Sequence, residues 1–163
     1  MVLRPQIGIT GSSGMLGKHV VEFFLKKNYH VLASSRSNPK INKKNFSWKK
    51  IDLNEKNFKE KFKLYFKNIE CLIHIGAYVP KKNDKISTKY IYNVNTKATA
   101  QLAKWSKKNK IHFIFISGSA IYKEDKKNIE NSKILNFSKN TYLNSKIKSE
   151  KKITELFKKS NFE

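Results

Sequence analysis

The stretch GITGSSGMLGKHVVEFFLKK, Gly8 to Lys27, decides how the rest of the chain is read. An apolar run, QIGIT (Gln6 to Thr10), enters it, and an amphipathic segment leaves it. Between the two stand Gly11, Gly14 and Gly17, each three residues from the next. A strand, a glycine turn and a helix in immediate succession are what a phosphate cradle requires. Gly11 permits a tight turn, Gly14 lets backbone come close to a pyrophosphate, and Gly17 lets helix and strand pack closely. The unpaired amides and dipole at the helix start favour the ligand's negative charge. Without correct flanks the same spacing would mark only a turn.

Working outward, apolar runs alternate with amphipathic ones. Strands are expected at Gln6 to Thr10, His30 to Ser35, within NFSWKKIDL, at Ile69 to Ala77 and at Ile111 to Ser119. Helices are expected over MLGKHVVEFFLKKN, with Leu16, Val20, Phe23 and Phe24 on one side, and over NFKEKFKLYFKN, with Phe58, Phe62 and Phe66 at helical spacing. A long helix over KYIYNVNTKATAQLAKWSKKN and another over TYLNSKIKSEKKITELFKKS follow. Strands lacking polar alternation, separated by helices, imply a parallel sheet covered on both faces. The expected fold class is therefore α/β, a doubly wound sheet of Rossmann type, forming one domain over residues 1–163. The chain stops at SNFE, where a further strand would begin, so a C-terminal substrate region is expected to be missing.

Composition bounds the function. Apolar residues make up 39% of 163, enough for one real core. Lys and Arg number 35 against 12 acids, a formal charge of +23. The lysines are spread along the chain rather than gathered, and no nucleic-acid motif accompanies them, which favours solvated faces over a nucleic-acid groove. Cys71 is the only cysteine, so an internal disulfide is excluded; an inert thiol within an apolar strand is expected. No apolar run of membrane length and no signal pattern occurs, and a cytoplasmic protein is expected.

Two positions bear on which dinucleotide is held. A site for NAD usually carries an acid after the second strand. Here ASSRSNPK offers Arg36 instead, and a guanidinium suits a 2′-phosphate, which favours NADP over NAD. Asp52, after the third strand, is a candidate for the adenine amino group or, more simply, a turn former.

A second constellation lies far along the chain. Tyr142 and Lys146 are four apart, on one helix face. A tyrosine titrates near ~10, too high for efficient acid–base work, and a neighbouring ammonium would lower it. Ser117 and Ser119, in ISGSAIY at the end of the fifth strand, offer hydroxyls at the sheet edge that carries the glycines.

With these residues in place, the chain resembles the extended short-chain dehydrogenase/reductases, the group of NAD(P)-dependent sugar-nucleotide epimerases, dehydratases and reductases. TGSSGMLG is similar to that family's cofactor turn, IDL to its segment after the third strand, and IHIGA to its His-x-Ala-Ala segment. NTKAT places Asn95 where the family keeps a structural and proton-relay asparagine, and YLNSKIKSE resembles its active-site helix, including the trailing Glu150. The resemblance implies cofactor contacts from Gly11, Ser13, Gly14, Met15, Leu16 and Gly17, from Arg36, from Asp52 and Leu53, from His74, Gly76 and Ala77, and from Tyr142 and Lys146. It implies Tyr142 as acid/base, Lys146 as the residue that tunes it and binds the nicotinamide ribose, and a serine that polarises the substrate oxygen. It further implies a nucleotide-sugar substrate and a homodimer formed through two helices per subunit.

Two departures stand against it. The position four before Tyr122, usually Ser or Thr, is Gly118; Ser117, 25 residues before Tyr142, fits the family's spacing better than Ser119. The resemblance implies a further strand and a substrate-binding region after the active-site helix, and both are expected to be missing. A non-catalytic cofactor-binding or redox-sensing module of the same fold therefore stands as the alternative.

Overall fold

The computed structural model describes residues 5–122 and 137–158. Five strands form one sheet: β1 (Gln6–Thr10), β2 (His30–Ser35), β3 (Phe46–Lys50), β4 (Cys71–His74) and β5 (His112–Phe115). Every pairing is parallel and the order is β3-β2-β1-β4-β5. The chain thus runs outward from β1 to one edge and restarts on the other side at β4. That reversal opens a crevice at the carboxyl ends of β1 and β4.

The residues separate into two compact units, 1–77 with 104–116, and 78–103 with 117–163. The first holds the sheet, α1 (Met15–Lys26) and α2 (Phe58–Tyr65). Ile7, Ile9, Val21, Val31, Ala33 and Ile73 form its core cluster, with Val20, Phe24 and Leu25 packed against it. Phe58, Phe62 and Phe66 are all buried, as their spacing predicts, and Trp105 meets Phe62 edge-on at 5.1 Å. Gly8 sits mid-strand because a Cβ there would come within 2.5 Å of Ile69 Cδ1 and 2.9 Å of Phe66 Cδ1.

α1 departs from expectation in one respect. Leu16 and Phe23 are exposed, whereas Gly17 and Val21 are buried. The inward face is therefore set by Gly17, the position that can approach the turn, with Val20, Val21, Phe24 and Leu25, and not by Leu16 or Phe23.

The second unit holds α3 (Thr88–Tyr92), a π-helical stretch (Asn93–Ala98), the start of α4 (Thr99–Lys108), a 3₁₀ turn (Ser119–Ile121) and α5 (Thr141–Lys158). Ile91, Val94, Ala98, Ile121 and Ile147 are buried where α3, the π stretch and the 3₁₀ turn meet α5. The long helix expected over residues 89–109 is thus interrupted. At the π stretch the Asn95 carbonyl accepts hydrogen bonds from Thr99 Oγ1 at 2.6 Å and Ser149 Oγ at 2.7 Å. Thr99 N–H turns to the Thr96 carbonyl instead. Hydroxyls replace the α-helical amide, and the helix widens there.

β4 and β5 are shorter than expected, Cys71–His74 rather than 69–77 and His112–Phe115 rather than 111–119. Beyond them the backbone leaves the ladder. His112 and Ile114 are exposed, so β5 alternates as a strand with one wet face. Cys71 is half-buried, and burial pushes its thiol up, consistent with an inert role. Among the described residues no helix is long and apolar enough to cross a membrane, and no His, Cys, Asp and Glu cluster suits a metal ion.

Candidate active site

The glycine turn is built by β1 ending where α1 must begin. Gly11 has φ +74°, a region that L side chains rarely adopt, and a Cβ there would lie 2.7 Å from Gly76 N. Gly17 is as tightly constrained, since its Cβ would fall 2.1 Å from Gly11 O. Gly14 is different. Its φ of −72° and ψ of 165° suit any residue, and a Cβ would meet only Gly11 O, at 3.4 Å. Neither packing nor backbone conformation asks for glycine at this position. It caps α1 without a side-chain hydrogen bond, with Met15 beside it largely exposed. A ligand's approach is what a missing Cβ there accommodates, so the turn fits a pyrophosphate.

The wall of this crevice is hydrogen-bonded through side chains that sequence reasoning missed. Ser12 Oγ and Ser35 Oγ are 3.0 Å apart, Trp48 Nε1 donates to Ser35 Oγ at 2.8 Å, and Ser35 Oγ donates to the Ser37 carbonyl at 2.7 Å. Ser12 N–H also donates to the Ser34 carbonyl at 3.2 Å. The turn is thereby tied to the end of β2, directly before the exposed Arg36. Small hydroxyls in "SSGM" and "ASSR" were the available signal, but nothing local pairs them.

On β4, His74 is fully buried. Gly76 N–H donates to Thr10 Oγ1 at 3.2 Å, which leaves the hydroxyl proton for His74 Nδ1 at 2.6 Å. Phe113 and Phe115 stack on the imidazole, with centroids 6.2 and 5.9 Å away. The ring is thus part of the sheet's interior, and any approach to a ligand from this segment falls to Gly76 and Ala77. Leu53 Cδ1 lies 3.3 Å from where a Gly76 Cβ would be, which places Leu53, Gly76 and Gly11 together. Asp52 Oδ1 accepts from Asn54 N–H at 2.9 Å, the turn-forming role.

In the second unit, α5 presents Tyr142 and Lys146. Asn95 clamps Tyr78 on both sides: Tyr78 N–H donates to Oδ1 at 2.7 Å, and Nδ2 donates to the Tyr78 carbonyl at 2.9 Å. Asn95 Nδ2 also donates to Ser145 Oγ at 3.1 Å, and Ser145 Oγ donates to the Tyr142 carbonyl at 2.6 Å. Thr96 Oγ1 adds a bond to the Ser145 carbonyl at 2.9 Å. Asn95 therefore fixes α5 at the residue between the tyrosine and the lysine. Ser149 and Thr96, which complete this spine with the Ser145 of the YLNSK segment, carried no signal in the sequence beyond being small and polar on a helix face.

Lys146 is only 3% exposed, and burial pulls its ammonium down to about 8, against an upward pull from Glu150. Burial pushes the Tyr142 phenol up. The shift is therefore opposite to the lowering expected from a neighbouring ammonium, and burial is its cause. Tyr142 lines a cavity of about 380 Å³ together with Val79, Pro80, Ile86, Ile91, Thr88, Asn140 and Thr141. Ser117 and Ser119 divide: Ser119 is exposed in the 3₁₀ turn, and Ser117 Oγ is shielded with no partner among the described residues. At Gly118 a Cβ would meet nothing within 4 Å.

Comparison with known proteins fits this geometry. The chain is 29% identical over 126 residues to a protein of Methanocaldococcus jannaschii named "Putative UDP-glucose 4-epimerase", covering 71% of this chain and 39% of that one. Its fold matches the UDP-glucuronic acid 4-epimerase of Bacillus cereus in complex with NAD, with a TM-score of 0.74 at 22% identity over 94% of this chain and 53% of that one. It also matches MoeE5 in complex with UDP-glucose and NAD, with a TM-score of 0.76 at 20% identity over 96% of this chain and 50% of that one. The chain spans about half the length of these proteins or less. The model of the NAD-dependent epimerase/dehydratase family matches residues 7–163, and the chain belongs to that family.

Proposed function

We propose that this chain binds NAD or NADP through its glycine turn and serves an epimerase, dehydratase or reductase of a nucleotide-activated sugar. The observation that carries the reading is Gly14, a glycine the fold itself does not need. Similar proteins that hold NAD, and in one case UDP-glucose with it, support the choice of ligand. Arg36, exposed after β2 with no acid in its segment, favours NADP.

The turn residues Gly11 to Gly17 would hold the pyrophosphate, with Gly76 and Ala77 on the neighbouring strand end. Such a cofactor supplies reversible hydride transfer. Tyr142, raised by burial, rests as a phenol and is suited to give a proton to a substrate oxygen. Lys146 supplies the positive charge against which the phenolate can form when the proton moves the other way. Asn95 and Ser145 hold α5 so that the pair keeps its orientation. The cavity beside Tyr142 offers an apolar floor with the side chains of Thr88, Asn140 and Thr141, suited to a glycosyl group.

Titration with NADH and NADPH should enhance cofactor fluorescence, more tightly for NADPH. Tyr142→Phe should keep that binding and lose turnover. Gly14→Ala should keep the melting temperature and weaken binding at least about tenfold, whereas Gly17→Ala should lose about 1–3 kcal/mol of stability through overpacking. A chain that binds neither cofactor would sink the proposal.

One observation favours a second reading, a cofactor-binding module without catalysis: Gly118 stands where the family resemblance calls for a hydroxyl, with open space around it. Single-turnover hydride transfer with a panel of nucleotide sugars separates the two, and gain of rate in Gly118→Ser would show which hydroxyl is wanting.

A further inference from the structure

One wall of the cavity beside Tyr142 differs in kind from the others. Residues 79–89 are all exposed, and 79–87 form neither helix nor strand. Val79 and Pro80 on one arm of this segment, and Ile86 on the other, line the cavity together with Ile91 and Tyr142. Lysines, Asn83 and Asp84 fill the stretch between the arms, whereas Val79 keeps 60% and Ile86 39% of its surface open. Apolar side chains left open at a cavity wall gain burial when a ligand fills the space. That wall has a fixed shape only while the two arms are held together.

Three hydrogen bonds meet at Asp84, between the arms. Its amide donates to the Lys81 carbonyl at 3.1 Å, closing a tight turn over Lys82 and Asn83. Its carboxylate closes the same turn again, Oδ2 accepting from Lys81 N–H at 2.8 Å. The same Oδ2 accepts from the Tyr78 hydroxyl, which reaches across to the turn. The Tyr78 bond most, and the Lys81 bond next, hold the Asp84 carboxyl below its usual range. Tyr78 is a fixed post. Asn95 grips its backbone on both sides, at 2.7 and 2.9 Å, and its ring meets that of Tyr90 edge-on, with centroids 5.2 Å apart. Asp84, by contrast, stands exposed, where a hydrogen bond competes with water and can open without unfolding the elements around it. One end of the contact is anchored and the other can let go.

We propose that residues 79–87 are a strap that gates the cavity beside Tyr142, and that Tyr78 and Asp84 are the positioning residues that latch it. With the latch made, Val79, Pro80 and Ile86 stand as a wall against which a ligand packs; with it broken, the arms part and the ligand can leave. That the ligand is a nucleotide-activated sugar rests on the function proposed above, but the latch can be tested without it.

The strap carries its own probe, since trypsin cuts after Lys81, Lys82 and Lys85. Cleavage of the full chain, followed bond by bond with mass spectrometry, reports how often the strap opens. Tyr78→Phe keeps the ring and removes the hydroxyl; Asp84→Ala removes the acceptor. Each should speed the strap cuts at least about fivefold, as loss of a hydrogen bond that holds the closed form predicts. Cuts after Lys104 and Lys108, in α4, should keep the parent's rate. The double variant should be no faster than the faster single one, because both break the same contact. Asp84→Asn, which keeps an oxygen to accept, should restore part of the protection. UDP-glucose should slow the strap cuts in the parent, and half-protection should need at least about threefold more of it in either variant. Unchanged strap cleavage in a folded Tyr78→Phe overturns the proposal. An equal rise after Lys104 and Lys108 overturns it too, because the residues would then hold the fold at large. Equal protection of parent and variants by UDP-glucose overturns the link from latch to ligand. A parent that UDP-glucose does not protect at all counts against the nucleotide-sugar reading, while the cleavage pattern alone upholds or overturns the latch.

Discussion

At the scale of the residue, the proposed chemistry calls on two positions by opposite means. Gly14 would act by what it lacks, and Lys146 by a charge held where water is scarce. The second has a measurable cost. With its ammonium at about 8 in the fold and near ~10.4 unfolded, the unfolded chain binds the extra proton over the interval between the two values. Stability contributed by this residue therefore rises as pH climbs from about 8 to about 10.4, and the full penalty, of about 3 kcal/mol, stands below pH 8. Lys146→Met should consequently be more stable than the parent at pH 7, with the difference shrinking as pH rises. Urea denaturation of both proteins at pH 7 and pH 9.5 checks this. A constant difference would show that packing, and not charge, sets it.

At the scale of the element, the π stretch and α5 behave as one device. Asn95 makes three side-chain hydrogen bonds, two to Tyr78 and one to Ser145, and its carbonyl takes two more from Thr99 and Ser149. Asn95→Ala would leave the Tyr78 amide and carbonyl without those partners, at a cost of about 2 kcal/mol. The loss should appear as a lower melting temperature, and as a fall in turnover larger than that in cofactor affinity, because α5 loses its anchor beside Tyr142. Equal loss of both would place Asn95 with the fold alone. Little of this was legible in the sequence. β1 and β2 were readable to the residue, because a strand buried on both faces lacks polar alternation and a glycine turn or a charged segment marks its end. The ends of β4 and β5 were not, since apolar Ile75 and Ile116 continue the pattern after the ladder stops. The π stretch was hidden because its cause lies 54 residues away, in the hydroxyl of Ser149. Tyr142 and Lys146 were singled out by spacing, whereas the direction of the Tyr142 shift depends on burial that spacing does not report.

At the scale of the whole molecule, charge and strand order dominate. Thirty-five basic residues face 12 acidic ones, so most of the positive charge has no acid to pair with; Lys61 does pair with Glu55, at 2.5 Å. Mutual repulsion of exposed lysines opposes compaction and is screened by salt. The melting temperature should rise by a few degrees between about 20 mM and about 300 mM sodium chloride, read by circular dichroism; no rise would mean that the lysines are too far apart to matter. Strand order has a different consequence, one of timing. β1 lies at the centre of the sheet, yet it is made first. Its pairing with β2, and that of β2 with β3, is complete within the first 50 residues, but its other edge waits for β4, with Thr10 and His74 separated by 64 positions. Until that long loop closes, the edge of β1 carrying Ile7 and Ile9 is open to strands of other chains. A nascent copy of this protein is therefore most exposed to mispairing between the emergence of β1 and the arrival of residues 71–74, which ends that interval.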